Sequence, residues 1–87
     1  MRIIIKSSSG INTDIEDVDS IRVILSNGYP FSILSNHAPL IARVSAGTLE
    51  YKISNNKNLL PIFDSIMIVK NNIIKLLTVN HVLPKII

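Results

Sequence analysis

The sequence contains no cysteine and no tryptophan, and it has only two phenylalanines and two tyrosines in 87 residues. A chain without cysteine forms no disulfides and supplies no thiolate ligands, which excludes a small disulfide-stabilised scaffold and a cysteine-based zinc site. The two histidines, His37 and His81, lie too far apart in the sequence to form a zinc-binding motif. So few aromatic side chains also leave little material for an aromatic binding strip.

Motifs that carry enzymatic chemistry are missing as well. The sequence has no Walker A motif, no dinucleotide fingerprint, no nucleophile elbow and no His-Glu-x-x-His pattern. Asp14, Glu16 and Asp17 lie close together, but the glycine-containing spacing of an EF-hand loop is absent, so this acidic run is interpreted as a solvated connection. We therefore expect a protein that is not an enzyme and that holds no cofactor and no metal.

The charge pattern does not indicate a nucleic-acid-binding protein. The formal net charge is +3, and the nine Lys and Arg residues are scattered instead of clustered around aromatic side chains. Four of the six acidic residues lie within residues 14–19, so the rest of the chain is distinctly basic. The pattern predicts a solvated basic surface that would attract an acidic partner or a membrane face, with no nucleic acid as a partner.

The chain also lacks a long apolar segment. The apolar run at Ile3–Ile5 is too short for a signal peptide. Twenty residues without formal charge lie between Arg22 and Arg43, but Gly28, Pro30 and several Asn residues interrupt them, so they do not form a membrane span. No signal peptide, transit peptide or membrane-spanning segment is expected.

Isoleucine and turn-forming residues dominate what is present. Seventeen Ile and six Val favour strands, and nine Asn and ten Ser supply turns. No segment has a helical period, and nine or ten short strands at regular spacing indicate a single all-β domain over residues 1–87, either a sandwich or a barrel. The predicted strands are Arg2–Lys6, Ile11–Ile15, Asp19–Leu25, Tyr29–Leu34, Leu40–Val44, Thr48–Ile53, Leu59–Phe63, Ile66–Lys70 and Ile73–Thr78, and Val79–Ile87 is a tail that docks on the sheet or on a partner.

Several turns are specific enough to be tested. Asn27-Gly28 predicts a hairpin, and Asn71-Asn72 predicts a two-residue hairpin loop because Asn tolerates positive φ. A further turn is expected at Asn55–Asn58. Pro61 argues that its strand lies at a sheet edge or contains a bulge.

Phe31–Leu40 is the most informative stretch of the sequence. Phe31 and Ile33 alternate with Ser32, and Pro39 ends the strand because it has no N–H and biases the preceding residue away from helix. The chain therefore turns a corner before the next strand begins at Leu40. His37 in this corner is either a structural residue whose ring bonds backbone groups or a contact for a binding partner.

This stretch resembles the epsilon subunit of F-type ATP synthases, which is called delta in mitochondria. Its β-sandwich domain has a signature close to Gly-Glu-Φ-Gly-Φ-Leu-Pro-Gly-His-Ala-Pro-Leu, where Φ is apolar. The matching positions are Phe31, Ile33, Leu34, His37, Ala38, Pro39 and Leu40, with Asn36 able to take the left-handed conformation of the family glycine. The sequence departs from the signature at Tyr29, Pro30, Ser32 and Ser35, which stand in place of Gly, an acid, Gly and Pro.

The resemblance implies a fold and a function. It selects a two-sheet antiparallel β-sandwich of about ten short strands, and it covers the sandwich half of a family member without the C-terminal helical hairpin. It implies a non-catalytic central-stalk subunit that binds the gamma subunit, contacts the polar loops of the c-ring and belongs to one complex with the α/β ATPase hexamer. Such a subunit would reach the cytoplasmic side of the membrane only through its complex. The implied partner-binding residues are Tyr29, Pro30, Phe31, Ser35, Asn36, His37, Ala38, Pro39 and Leu40.

Two alternatives remain open from the sequence. Because Pro30 replaces the family acid, the chain is also interpreted as an epsilon-like subunit of an F-type-like ATPase motor that does not couple to protons. The second alternative is a free-standing β-sandwich module that binds a peptide or a glycan, for example by strand addition at an edge near Pro61.

Overall fold

The structure, a computed structural model, describes residues 1–7 and 12–78. This part of the chain forms strands and turns and contains no helix, so none is present that could cross a membrane. The predicted all-β class is confirmed. The strands are β1 (Arg2–Ser7), β2 (Asn12–Ile15), β3 (Ser20–Ile24), β4 (Pro30–Leu34), β5 (Leu40–Val44), β6 (Gly47–Ile53), β7 (Asn56–Ile62), β8 (Ser65–Lys70) and β9 (Ile73–Thr78).

The described strands form two sheets, as the sandwich prediction requires. One sheet has five strands in the order β2-β1-β9-β8-β5, and the other has four strands in the order β4-β3-β6-β7. One pairing departs from the expected antiparallel arrangement, because β1 and β9 run parallel with Arg2 opposite Ile73 and Ser7 opposite Thr78. These two strands lie far apart in the sequence, so no hairpin turn forces them to run in opposite directions.

The core lies between the two sheets and follows the two-residue period of the strands. In β8, Ser65, Met67 and Val69 are buried, whereas Ile66 and Lys70 are exposed. Burial of one large aliphatic side chain contributes about 1.5–3 kcal/mol, so this layer dominates the stability of the fold. The buried hydrophobic residues are Ile3, Val18, Ile21, Val23, Ile33, Val44, Leu49, Met67, Val69, Ile74 and Leu76.

The asparagine-containing turns follow the expected chemistry, with one difference in length. Asn71 and Asn72 have φ values of 52° and 62° and form the predicted two-residue loop between β8 and β9. At the β3–β4 hairpin the loop has three residues, because the Leu25 N–H donates to the Tyr29 carbonyl oxygen at 2.8 Å. Gly28 has a φ of 89° there, as expected for the last residue of a three-residue loop.

The turn predicted at Asn55–Asn58 is wrong in its bounds, because the observed turn begins one residue earlier and ends three residues earlier. The structure places a tight turn at Ser54-Asn55, with φ values of 49° and 65°, and β7 already begins at Asn56. The Ser54 N–H donates to Asp19 Oδ2 at 2.7 Å, a contact from a distant segment that the local sequence does not reveal. Pro61 lies on β7, which is an edge strand, and this confirms the edge prediction.

Ile11 and the predicted tail Val79–Ile87 lie outside the described residues.

Candidate functional site

The strand order gives the sandwich two distinct ends. One end, which we call the corner end, carries Met1, the β4–β5 loop Ser35–Pro39 and the turns Ser54-Asn55 and Asn71-Asn72. The opposite end, which we call the hairpin end, carries the β3–β4 loop and the β5–β6 and β7–β8 connections. At the hairpin end the two sheets are joined, since Leu25 pairs with Val44.

The corner loop Ser35–Pro39 carries the chain from one sheet to the other. It leaves β4, an edge strand of the four-stranded sheet, and enters β5, an edge strand of the five-stranded sheet. Asn36 has a φ of 63°, the left-handed conformation expected where the family has glycine. The Asn36 N–H donates to Asn72 Oδ1 at 2.8 Å, and the Arg2 N–H donates to the Asn72 carbonyl oxygen at 3.2 Å. Asn72 therefore ties the corner loop to the first strand.

The His37 ring is held by its neighbours in the corner. Its Nδ1 lies 2.7 Å from the Ala38 carbonyl oxygen, and its ring packs edge-on against Phe31 with the centroids 5.8 Å apart. A carbonyl oxygen only accepts, so this bond requires the hydrogen on Nδ1. In the neutral ring Nε2 is then left as a hydrogen-bond acceptor.

The nine residues expected to bind a partner do not all lie together. Ser35, Asn36, Ala38 and Pro39 are exposed in the corner loop, and the half-buried Leu40 packs against the core. Phe31 is half-buried and reaches the corner through the His37 ring.

Tyr29 and Pro30 lie at the opposite end of β4 from the corner loop. The five residues of β4 span about 17 Å, which separates these two residues from Ser35. Tyr29 is 69% exposed and Pro30 is also exposed, so both face solvent at the hairpin end. A single small contact does not include both groups.

Three further residues belong to the corner and were not predicted from the sequence. Asn72 supplies the hydrogen-bond acceptor described above. Leu34 is 64% exposed just before the loop, and Ile41 is 74% exposed just after it. Strand alternation carries a signal for both, because each adjoins a residue that points inward, Ile33 and Leu40 respectively.

Two acidic residues near the corner end, Asp14 and Asp19, are engaged with the protein itself. The Arg2 Nε–H donates to Asp14 Oδ1 at 2.8 Å, and the Arg2 Nη2 and Asp14 Oδ2 form a second, ion-paired contact. The hydrogen bonding and charge of Arg2 lower the pKa of the Asp14 carboxyl, and the same contact raises the pKa of Arg2. Asp19 accepts the Ser54 N–H, and residues 1–7 and 12–78 contain no group of three or more His, Cys, Asp or Glu side chains that could hold a metal ion.

Comparison with known proteins identifies the fold family. Two ATP synthase epsilon chains from Leptospira interrogans, of serovars copenhageni and Lai, are each 39% identical over 62 residues, which is 71% of this chain and 48% of theirs. The chain thus spans about half the length of these curated relatives. A chain in the cryo-EM structure of the Tetrahymena thermophila mitochondrial ATP synthase central stalk and c-ring has the same fold, with a TM-score of 0.68 at 9% identity over 91% of this chain and 63% of that chain.

The match to a family model extends over nearly the whole sequence. The model describes the β-sandwich domain of the ATP synthase delta/epsilon chain, and it matches residues 1–84. The resemblance seen in the sequence around His37 is therefore confirmed at the level of the domain. This chain belongs to the family of the ATP synthase delta/epsilon chain β-sandwich domain.

Proposed function

We propose that the chain is a non-catalytic, epsilon-type subunit of the central stalk of a rotary F-type ATPase. The observation that carries this proposal is the family match over residues 1–84. In this role one domain spanning residues 1–87 binds the gamma subunit, contacts the polar loops of the c-ring and belongs to the same complex as the α/β hexamer. It associates with the cytoplasmic side of the membrane only through that complex.

The hydrogen bonds of the corner loop support its use as a partner contact. The Asn36–Asn72 hydrogen bond of 2.8 Å and the His37–Ala38 contact of 2.7 Å are formed in the unbound chain. A preformed loop loses little conformational entropy on binding, which favours a lasting contact. Such a contact suits a mechanical subunit, which transmits torque through shape and forms or breaks no covalent bond.

The proposed contact has an apolar part and a polar part. Leu34 exposes an aliphatic side chain just before the corner loop, and apolar groups of this kind are favourable when buried at an interface. The polar part is the loop itself, Ser35–Pro39, with the His37 ring. Tyr29 and Pro30 form a separate proposed contact at the hairpin end.

Pro30 favours one variant of this function. It is exposed at the start of β4, at the position where the family signature has an acid. A stalk subunit that lacks this carboxylate fits an F-type-like motor that does not couple to protons. The two variants differ in whether c-ring subunits belong to the complex.

Native mass spectrometry of the tagged protein, purified gently from its own cells, tests the proposal. We expect a complex with a coiled-coil gamma-like subunit and a hexamer of nucleotide-binding subunits. Bound c-ring subunits would assign the complex to a proton-coupled synthase, and their consistent absence would favour the uncoupled motor. A monomer of 9.6 kDa, found repeatedly under mild conditions, would overturn the stalk proposal and favour the free-standing module.

A matched pair of variants tests the corner contact. Leu34 and Leu59 lie on the two edge strands of the four-stranded sheet and are 64% and 63% exposed. Leu34→Asp is expected to lower the yield of the complex at least about tenfold, because a carboxylate would be buried at the contact. Leu59→Asp should leave the yield unchanged. If both variants lower the yield of the complex equally, or if neither variant lowers it, the assignment of the contact to the corner is contradicted.

A further inference from the structure

The outer face of the five-stranded sheet combines aliphatic and positively charged side chains. Its residues alternate along the strands with buried ones such as Ile3, Met67 and Ile74, so they point away from the core. The aliphatic members are Ile4, Ile41, Ile66, Ile68, Ile73 and Leu77, and the charged members are Arg2, Lys6, Arg43, Lys70 and Lys75. We call this surface the cationic face.

Most of the positive charge on the cationic face is not neutralised by the protein. Asp14 is the only acidic residue in the five strands of this sheet, and it pairs with Arg2. Within residues 1–7 and 12–78 no ion pair involves the other four cations, which are Lys6, Arg43, Lys70 and Lys75. On the other sheet, by contrast, Lys57 pairs with Glu50 at 3.1 Å.

A groove on this face has a mixed aliphatic and cationic lining, with Lys75 on the central strand opposite both Ile4 and Ile68. Its volume is about 230 Å³, and it is lined by Ile4, Ile68 and Ile73 together with Lys70, Lys75 and Asn71. Beside it Ile41 is 74% exposed and pairs across the strands with Ile68. An aliphatic side chain flanked by carboxylates complements this combination of shape and charge.

We propose that the cationic face docks a protein surface in which carboxylates flank an apolar stripe, such as an acidic amphipathic helix. A second copy of the chain is a poor occupant, because a two-fold contact would bring like charges together. The tail Val79–Ile87 does not complement the face either, since it contains Lys85 and no acidic residue. The strands of this face present no outward aromatic side chain of the kind that anchors proteins at a membrane surface, which favours a protein partner over a lipid.

The proposal is tested with the 87-residue chain and a synthetic helical peptide that has a leucine stripe flanked by glutamates. A matched peptide has lysine at every glutamate position. In amide chemical-shift titrations we expect the glutamate peptide to shift Ile4, Ile68 and Ile73, and we expect the lysine peptide to shift none of them. Raising the salt from about 50 to 500 mM should weaken binding, because the contacts are electrostatic and exposed.

Two charge-reversed variants locate the binding surface. Lys70→Glu with Lys75→Glu should weaken binding at least about tenfold. Lys52→Glu with Lys57→Glu, which reverses two lysines of the other sheet, should change binding less than about twofold. Amide chemical-shift dispersion shows whether the first pair of substitutions disturbs folding. If it does, Ile41→Ser, which changes one exposed side chain, takes its place and should weaken binding about threefold.

Three results would overturn the proposal. The first is the absence of shifts on the cationic face at millimolar glutamate peptide, and the second is equal binding of the lysine peptide. The third is binding to vesicles of anionic phospholipid without binding to the peptide, which would make the face a membrane contact. The inference does not depend on the stalk function, so a negative result here leaves the complex found by native mass spectrometry unaffected.

Discussion

The two faces of the five-stranded sheet carry nearly the same aliphatic residues but have different roles. Ile3 and Ile74 are fully buried, whereas their sequence neighbours Ile4 and Ile73 point outward and line an open groove. The difference comes from the second sheet, which covers one face and not the other. Residue type alone therefore does not distinguish core from surface here, and contact with the opposite sheet does.

The largest difference in stability is expected between two variants that each place a charge on one face of the sheet. Met67 is fully buried and Ile68, the next residue, points outward. Met67→Lys should destabilise the fold by at least about 4 kcal/mol, because it buries a charge without a partner. Ile68→Lys should change the free energy of unfolding by less than about 1 kcal/mol. Urea denaturation measures both, and similar losses would contradict the assignment of the two faces.

Truncating a buried and an outward-pointing isoleucine should destabilise the fold in the same order, with smaller losses in the free energy of unfolding. Ile74→Ala removes a fully buried side chain and should lower the free energy of unfolding by about 2–5 kcal/mol. Ile73→Ala is the matched control on the outer face and should lower it by less than about 1 kcal/mol. Thermal unfolding of the two variants under one condition provides the comparison. A larger loss from Ile73→Ala would show that the outer face is covered in solution.

A smaller change in stability is expected at the turn before β9, where the Asn72 side chain bonds the corner loop. Asn72→Gly keeps a residue that tolerates the φ of 62° but removes the acceptor for the Asn36 N–H. We expect its free energy of unfolding to be about 1 kcal/mol lower than that of Asn71→Gly. Asn71→Gly is the control, because it changes the adjacent left-handed residue. Urea denaturation measures the difference between the two variants. Equal stability of the two would mean that the Asn36–Asn72 bond does not hold the corner loop.

The Arg2–Asp14 pair on the outer face should give the smallest effect. Arg2 lowers the pKa of Asp14, so the pair stabilises the folded state above the unfolded pKa of about 3.9 and loses its effect as the pH falls through the lowered value. Asp14→Asn should therefore lower the unfolding temperature slightly at pH 7, and the difference from the unchanged protein should disappear near pH 2.

Asp17→Asn is the control for this pair, since Asp17 is exposed and forms no ion pair among the described residues. A pH-independent difference for Asp14→Asn would show that the exposed pair contributes through packing and not through charge.

Much of the fold could be predicted from local chemistry. The positive φ of Asn36, Asn71 and Asn72 follows from the side chain of asparagine, and the edge position of β7 follows from Pro61. The turn at Ser54-Asn55 could not be predicted, because the contact that supports it comes from Asp19, which is distant in the sequence.

The candidate site was only partly predictable for a related reason. The residues Ser35–Pro39 form one loop because they are contiguous, and their hydrogen bond to Asn72 depends on the pairing of β8 with β9. Tyr29 and Pro30 lie close to this loop in the sequence but at the other end of β4 in space. A strand separates its two ends by its full length, so nearness in sequence did not mean nearness in the structure.

The sequence by itself determined the all-β class, the corner at Pro39, most of the turns and the family. These depend on strand propensity, on the missing N–H of proline and on residues that tolerate positive φ, all of which act within a few positions. Only the tertiary structure decided which isoleucines are buried, that β1 pairs parallel to β9 and that five cations share one face with a groove. The reason is physical: burial, strand order and the summed charge of a surface depend on segments that are remote in the chain and meet only when the two sheets pack.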